Sequence, residues 1–256
     1  FTAHFNLGVI FMKKRKWENA AYHYQKALNL EPEDTDTHHN YATVLLKLKK
    51  IDQAIEHYEK VLSKQPNNEP VHYILNALTK KEVPLRAPTS YLSTLFDNYA
   101  EQFDKDLLER LQYKVPELLD DALLLHLENK KNLDVVDLGC GTGLAGIKFR
   151  KIAKTLIGID ISKSMLNIAK EKKIYDQLIA DDLIFGMQKI ASPIDLIIAA
   201  DVLVYFGELS EIFACCYQKL APGGIFAFSI EQSSQQQQNY TLQETGRYTH
   251  ATDIVC

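Results

Sequence analysis

The sequence has few cysteines, and their spacing forms no recognisable pattern. The chain contains four of them, Cys140, Cys215, Cys216 and Cys256. There is no Cys-x-x-Cys pair and no interleaved histidine spacing, which excludes the common zinc and redox motifs. The sequence therefore predicts no metal site and a reducing, cytoplasmic compartment.

The sequence also lacks a long apolar run and an excess of charge of one sign. No run approaches the roughly 18 apolar residues of a membrane-spanning helix, so no membrane partner is predicted. The 29 Lys and Arg against 33 Asp and Glu give a net charge of -4, which argues against a nucleic acid partner. The hydrophobic fraction of 46% is that of an ordinary globular protein, and 256 residues are enough for roughly two domains.

An internal repeat occupies the first third of the chain. The segments WENAAYHYQKALNLEP and IDQAIEHYEKVLSKQP align at an offset of 34 residues, which pairs Ala20 with Ala54 and Tyr24 with Tyr58. Each unit has the apolar spacing of two amphipathic helices and ends at a proline. The pattern of small and aromatic positions resembles the tetratricopeptide repeat (TPR). This resemblance implies an α-helical TPR array over residues 1–80, with about two and a half repeats.

A TPR array implies either a concave groove for a protein or peptide partner, or a structural arm. His4, His38 and His72 also recur at the repeat offset, which raises the possibility of a metal site. Because successive units would hold these side chains apart, we expect them to be repeat positions and not ligands.

A second domain follows a proline-containing connection. The stretch KKEVPLRAPTS has no helical period, which predicts a linker over residues 81–93 and a domain over residues 94–256. This domain alternates short aliphatic runs with helical segments, as in LDVVDLG and TLIGID. That alternation is typical of βαβ units with a mostly parallel sheet.

The most specific motif is DLGCGTG, residues 137–143, which follows the first predicted strand. Its alternate glycines allow the backbone to approach a ligand closely at the start of a helix. Gly141, Gly143 and Gly146 also have the spacing of dinucleotide-binding loops, which keeps an NAD-dependent oxidoreductase as a rival. Asp137 argues against that rival, since its carboxylate would repel a pyrophosphate but accept hydrogen bonds from an ammonium group.

Acidic residues follow the next two predicted strands. Asp160 ends the second strand, where a carboxylate can bind both hydroxyls of a ribose. Asp181 or Asp182 follows the third strand and could meet an adenine amino group. In this combination the domain resembles class I S-adenosylmethionine-dependent methyltransferases, and the segment AADVLVYFGEL is similar to bacterial proteins that fuse TPRs to a small methyltransferase.

The resemblance implies a Rossmann-like domain, the cofactor S-adenosylmethionine and a set of site residues. The cofactor-binding residues it implies are Asp137, Gly139, Gly141, Gly143, Asp160, Ile161, Met165, Asp181, Asp182 and Tyr99. Asp201 and Tyr205, which follow the fourth strand, are the candidate catalytic residues. Arg247 comes later in the chain, where an arginine would suit the carboxylate of an acceptor.

The expected function is methyl transfer to a small-molecule acceptor, with a TPR arm for a protein or peptide partner. The alternative is a TPR adaptor whose second domain binds the nucleoside without catalysis. In the family the sheet continues after its fifth strand with a helix and an antiparallel pair, whereas this chain ends at HATDIVC. We therefore expect a helix at this end, the last strands to be missing, and a domain truncated at its C-terminus.

Overall fold

The computed structural model describes residues 1–127, 130–191, 193–233 and 239–251. By its internal contacts the chain divides into two compact units, residues 1–82 and 83–256. None of the helices formed by the described residues has the length and apolarity needed to cross a bilayer.

The first unit consists of helices that pair in chain order. Within residues 1–82 these are α1 (Thr2–Lys13), α2 (Trp17–Leu30), α3 (Thr35–Lys47), α4 (Ile51–Lys64) and α5 (Glu69–Thr79). Small residues allow the close crossing of α1 and α2, because a Cβ on Gly8 would lie 2.5 Å from the ring of Tyr24. Ala20 and Ala54 are fully buried at equivalent positions of the two repeats. The helical repeat predicted from the sequence is thus present.

Histidine pairs join the two helices of each repeat. His4 Nδ1 lies 2.9 Å from His23 Nδ1, and His38 Nδ1 lies 2.6 Å from His57 Nδ1. His38 Nε2 also lies 2.8 Å from the carbonyl oxygen of Pro32. In the neutral pair His38 therefore donates through Nε2, and its Nδ1 accepts a hydrogen bond from His57. Among the described residues no cluster of three or more potential metal ligands occurs.

The second unit is built on a parallel sheet. Its strands are β1 (Leu133–Leu138), β2 (Ala153–Asp160), β3 (Gln177–Ala180), β4 (Ile194–Ala199) and β5 (Leu220–Phe228). They are ordered β3-β2-β1-β4-β5, and all four neighbouring pairs are parallel. The order reverses between β1 and β4, which is the point where open α/β sheets bind ligands. The predicted α/β Rossmann-like architecture is confirmed.

Helices cover this sheet. They are α6 (Thr89–Lys105), α7 (Val115–Leu127), α8 (Leu144–Phe149), α9 (Lys163–Glu171), α10 (Leu183–Gln188) and α11 (Ser210–Lys219). A π-helical turn, Asp106–Arg110, continues α6, and a 3-10 turn, Leu203–Tyr205, follows β4. Buried side chains of α7 and α8, such as Leu123 and Phe149, pack with Val135 of β1 and Leu196 of β4 in one core cluster. The central strands are consequently buried and apolar, as their aliphatic runs predicted.

The segment before α6 belongs to the second unit through its backbone. Ala87 N donates a 2.8 Å hydrogen bond to Tyr205 O, and Gly207 N donates one of 2.8 Å to Leu85 O. Part of the predicted linker is therefore held against the loop that follows β4. Prolines exclude a helix here, but they leave the carbonyls and the remaining amides available for such pairing.

The chain after β5 forms a small second sheet. It contains β6 (Glu231–Gln232), β7 (Tyr240–Leu242) and β8 (Tyr248–His250), ordered β6-β8-β7, and β7 is antiparallel to β8. Where a helix was expected at HATDIVC, His250 instead ends β8, along which burial alternates with the period of a strand. This antiparallel pair does not join the larger sheet, which among the described residues has only the five strands β3-β2-β1-β4-β5, so the last strands of the family's sheet are missing from it, as expected. Residues 252–256 lie outside the described part.

Candidate cofactor and acceptor site

A cavity of about 410 Å³ lies at the carboxyl ends of the central strands of the second unit. This volume is within the range of small-molecule sites. The predicted site residues that line it are Tyr99, Gly139, Gly141, Asp160, Ile161, Met165, Asp182, Asp201 and Tyr205. The lining does not include Asp137, Gly143 or Asp181. The structure thus brings most of the predicted residues to one place and separates three of them from it.

Gly141 is the glycine of the DLGCGTG loop that faces the cavity. Its φ is +52°, in the left-handed region that favours glycine. The nearest atom to an added Cβ would be a ring carbon of Phe103 at 3.8 Å, so the space above this glycine is open. Gly139 differs, because a Cβ there would overlap the side chain of Val202. A ligand can therefore approach the loop backbone at Gly141.

The later glycines of the motif accommodate a side chain of the protein itself. A Cβ on Gly146 would overlap the hydroxyl of Tyr175, and one on Gly143 would lie 3.0 Å from the same ring. Tyr175 donates a 2.6 Å hydrogen bond to Asp137. Burial raises the pKa of Asp137 to about 7, and the hydrogen bond from Tyr175 opposes that shift. The spacing of Gly143 and Gly146, which resembles that of a dinucleotide-binding loop, is thus explained by the packing of Tyr175 against them.

Asp160 combines burial with a position at the cavity. It is 7% exposed, and its carboxylate accepts hydrogen bonds of 2.8 Å from the amides of Gly141 and Ser162. Burial raises its pKa to about 6, while the two amide hydrogen bonds act in the opposite direction. A carboxylate oriented in this way at the end of β2 fits the hydroxyls of a ribose.

Of the two aspartates after β3, Asp182 lies at the cavity. It accepts a hydrogen bond of 3.1 Å from Arg86 Nη1, and it caps α10 through the amide of Ile184. Asp181 instead forms an ion pair of 2.5 Å with Lys189, which lowers its pKa. Arg86 was not predicted from the sequence, because an arginine between two prolines carries no signal of its own.

Two further residues that the sequence analysis missed hold α6 against the cofactor loops. The carboxylate of Asp97 accepts a 2.6 Å hydrogen bond from Ser162 Oγ, which lowers its pKa. Asp104, about two helical turns later, accepts hydrogen bonds from Thr142 Oγ1 and, at 2.7 Å, from Lys172 Nζ. The spacing of two acidic residues on one face of α6 is the signal that would have indicated this role.

An aromatic wall runs along α6 and ends at the 3-10 turn. Phe96 contacts Tyr205 and Phe103 edge to face, at ring-centroid distances of 5.5 Å and 6.3 Å. Tyr99 contacts Phe103 at 5.5 Å, and its hydroxyl donates to Asp106. These rings exclude water from one side of the cavity and give it an apolar surface.

The candidate catalytic residues lie beside an ion cluster. Asp201 has a φ of +61°, and its Oδ1 lies 2.5 Å from Arg247 Nη2. Arg247 Nε lies 2.6 Å from Glu231 Oε1, and the guanidinium lies 5.9 Å from the centroid of the Tyr205 ring. Burial raises the pKa of Tyr205, so its hydroxyl is neutral and not a base at neutral pH. The described residues that line the cavity include no histidine or lysine.

Comparisons with known proteins match each part of the chain to a family. Residues 107–252 match the family model described as a methyltransferase domain, and residues 11–78 match that of the tetratricopeptide repeat. The chain belongs to the methyltransferase-domain family, whose cofactor is S-adenosylmethionine. More particularly, it is a TPR region joined to a methyltransferase domain. The family, the cofactor and the fusion that the sequence predicted are thereby confirmed.

Similar proteins cover parts of the chain. The ubiquinone biosynthesis O-methyltransferase of Mus musculus is 26% identical over 99 residues, which are 36% of this chain and 27% of that protein. The malonyl-[acyl-carrier protein] O-methyltransferase of Yersinia pestis is 25% identical over 177 residues, 67% of this chain and 62% of that protein. The chain thus spans less than two thirds of either relative.

Among solved structures, magnesium protoporphyrin IX methyltransferase from Synechocystis PCC 6803 with bound SAM is 18% identical. Its TM-score is 0.46, and the match covers 64% of this chain and 81% of that one. At this TM-score the likeness adds nothing to the assignment, which depends on the family match.

Proposed function

We propose that the second unit transfers a methyl group from S-adenosylmethionine to a small-molecule acceptor. The observation that carries the proposal is the meeting of the open backbone at Gly141 with the buried carboxylate of Asp160 in one cavity. No protein side chain occupies the space in which a Cβ on Gly141 would lie, so a ligand can use it. The carboxylate beside it accepts the hydroxyl hydrogen bonds of a nucleoside.

The remaining lining residues fit the other parts of this cofactor. Asp182 would accept a hydrogen bond from the adenine amino group, and Ile161 and Met165 would contact the adenine ring. Tyr99 and Phe103 would close over the methionyl end from α6. S-adenosylmethionine supplies a methyl group that is activated by a positively charged sulfur.

The protein's contribution to the reaction is positioning and exclusion of water. When bound, S-adenosylmethionine would supply its methyl group to a lone pair of the acceptor, and the electron pair of the carbon–sulfur bond would go to sulfur. The leaving thioether needs no acid, so holding the two reactants in line accounts for much of the acceleration. Asp201 and Tyr205 would contact the acceptor or its attacking atom.

The first unit would serve as an arm for a protein or peptide partner, in a cytoplasmic protein. Support comes from the TPR family match and from exposed apolar side chains, such as Ile10 and Tyr22, which are 47% and 55% exposed. A fused module of this kind raises the local concentration of a tethered substrate without a catalytic contact.

Calorimetry with S-adenosylmethionine, S-adenosylhomocysteine and NAD tests the proposal. We expect the two adenosyl compounds to bind and NAD not to bind; binding of NAD alone would overturn it. Transfer of a labelled methyl group to a panel of small acceptors then tests catalysis. Binding without transfer to any acceptor would favour the non-catalytic adaptor.

A further inference from the structure

We infer that the acceptor part of the cavity takes an apolar molecule that is uncharged or cationic, and that it rejects a carboxylate. The residue that sets this preference is Arg247, which is held between two carboxylates of the protein. The inference rests on the proposed function, because the acceptor part is the portion of the cavity beyond the cofactor-binding residues.

The geometry of the ion cluster leaves Arg247 with two acidic partners. Asp201 faces the outer nitrogens of the guanidinium, with its oxygens 2.5 Å from Nη2 and 3.4 Å from Nη1. Glu231 faces Nε at 2.6 Å. The guanidinium carbon lies 5.9 Å from the centroid of the Tyr205 ring. An acceptor carboxylate would have to displace one of these partners and leave it unpaired at the edge of the cavity.

The charged residues around the cavity also disfavour an acceptor carboxylate. Two arginines and three aspartates are among its described lining residues. Glu231, which pairs with Arg247, adds a further negative charge next to the cavity. Arg86 is likewise engaged, since it pairs with Asp182. Both arginines at the cavity are thus neutralised by the protein, and the local excess of carboxylates repels an anion.

The walls of the acceptor part are apolar. Besides Phe96 and Tyr205, leucines line the cavity: Leu92 and Leu95 of α6, Leu107 of the π-helical turn, and Leu111, which follows that turn. Leu111 is 67% exposed and Leu95 37% exposed, so apolar surface extends from the cavity towards solvent. Such a surface favours an apolar acceptor, and the aromatic rings also tolerate a cation.

From its place in the sequence, Arg247 was expected to suit an acceptor carboxylate. The tertiary structure instead brings two acidic partners to this arginine, Asp201 from the loop after β4 and Glu231 from β6. Arg247 can therefore be used to test the preference for acceptor charge, because removing one of its acidic partners would leave the guanidinium able to bind an anion.

The experiment compares three ligands that carry the same phenyl ring. The chain is first saturated with S-adenosylhomocysteine, whose binding is measured independently, and is then titrated with phenylacetate, phenylacetamide and phenethylamine. We expect the amide and the amine to bind at least tenfold more tightly than phenylacetate. Equal or tighter binding of phenylacetate would overturn the inference, as would failure of both the amide and the amine to bind.

A matched pair of variants tests the role of Arg247. Glu231→Gln removes one acidic partner and should reduce the preference for phenylacetamide over phenylacetate about tenfold. Glu244→Gln makes the same change of charge on the exposed turn between β7 and β8 and should leave the preference unaltered. An unchanged preference in a folded Glu231→Gln chain would contradict the role of Arg247. If S-adenosylhomocysteine itself does not bind the parent chain, the proposed function fails and not this inference alone.

Discussion

Tyr175 donates a hydrogen bond of 2.6 Å from its hydroxyl to the carboxylate of Asp137, and its ring lies over the glycines that begin and continue α8. The acidic residue of the glycine motif is therefore satisfied by a residue that precedes β3 in the chain. Asp137 is 1% exposed and does not line the cavity, so the tyrosine satisfies a carboxylate that is enclosed within the protein.

Replacing Gly146 with alanine should destabilise the second unit. Alanine favours a helix over glycine, but here its Cβ would overlap the Tyr175 hydroxyl, and overpacking of this kind costs about 1–3 kcal/mol. Thermal unfolding followed by circular dichroism measures the change. As a control, the same substitution in a Tyr175→Ala background should cost nothing further, and an equal cost in both backgrounds would contradict the packing explanation.

Replacing Gly141 with alanine should reduce cofactor affinity more than it reduces stability. The Cβ meets no protein atom closer than 3.8 Å, so unfolding should change only by the roughly 1–2 kcal/mol of a left-handed residue. Cofactor affinity should fall at least tenfold, since the methyl group occupies the space of the ligand. Gly141→Val should abolish binding. Calorimetry with S-adenosylmethionine provides the measurement, and unaltered affinity would remove Gly141 from the site.

Asp160→Ala should weaken S-adenosylmethionine binding by about 1.5–3 kcal/mol, the range for hydrogen bonds to a charged group. The affinity of the parent chain should also fall as the pH decreases through about 6, the pKa of Asp160. The sign follows because ribose hydroxyls donate to the ionised carboxylate, and a proton competes with them. Asp121→Ala, on the exposed side of α7, serves as the control, and a flat pH profile would argue against direct contact.

Asp97→Ala should loosen α6 over the cavity. The side chain accepts hydrogen bonds from Ser162 Oγ and the Ser164 amide, and their net loss at an exposed position is worth about 1 kcal/mol. Amides of α6 should exchange faster with deuterium, and cofactor should dissociate faster. Glu101→Ala, an exposed position on the same helix, should change neither rate. Identical exchange in the two variants would show that Asp97 does not hold the helix.

The first unit should lose stability as the pH falls from about 6.5 to about 4. Burial lowers the pKa of His57 to about 4, and the charges of His38 and Lys60 act in the same direction. Because the unfolded chain binds the proton at higher pH than the folded one, acid favours unfolding within this window. Denaturant unfolding followed by the fluorescence of Trp17, the single tryptophan, reports on this unit alone.

His57→Gln should flatten this pH dependence, whereas His72→Gln, an exposed position in the third repeat, should preserve it. A profile that is unchanged in His57→Gln would mean that another group titrates.

Much of the fold was accessible from the pattern of residues. The repeat offset identified the helical pairs, and aliphatic runs followed by helical spacing identified the parallel sheet. The small sheet after β5 was not predicted, because β6, β7 and β8 are only two or three residues long. Strands this short contain too few alternations to be distinguished from a helix or a loop.

The residues of the candidate site were likewise predicted from the sequence only in part. Asp160 and the glycine loop were predicted because each depends on neighbouring residues in the chain. Asp160 follows a predicted strand, and the glycines permit a left-handed turn next to another strand. Asp104 and Arg86 were missed, since each acts through a partner distant in the chain, Thr142 and Asp182 respectively. The choice between Asp181 and Asp182 also needed the structure, because both follow the same strand.

The sequence by itself determined the order of helices and strands, the two-part organisation and the class of cofactor, because these follow from spacing along the chain. Only the tertiary structure decided which glycine is open, which aspartate faces the cavity and which carboxylates pair with Arg247. These depend on side chains from separate elements meeting in space. A carboxylate next to a guanidinium has a different chemistry from either group alone, and that proximity is a property of the fold.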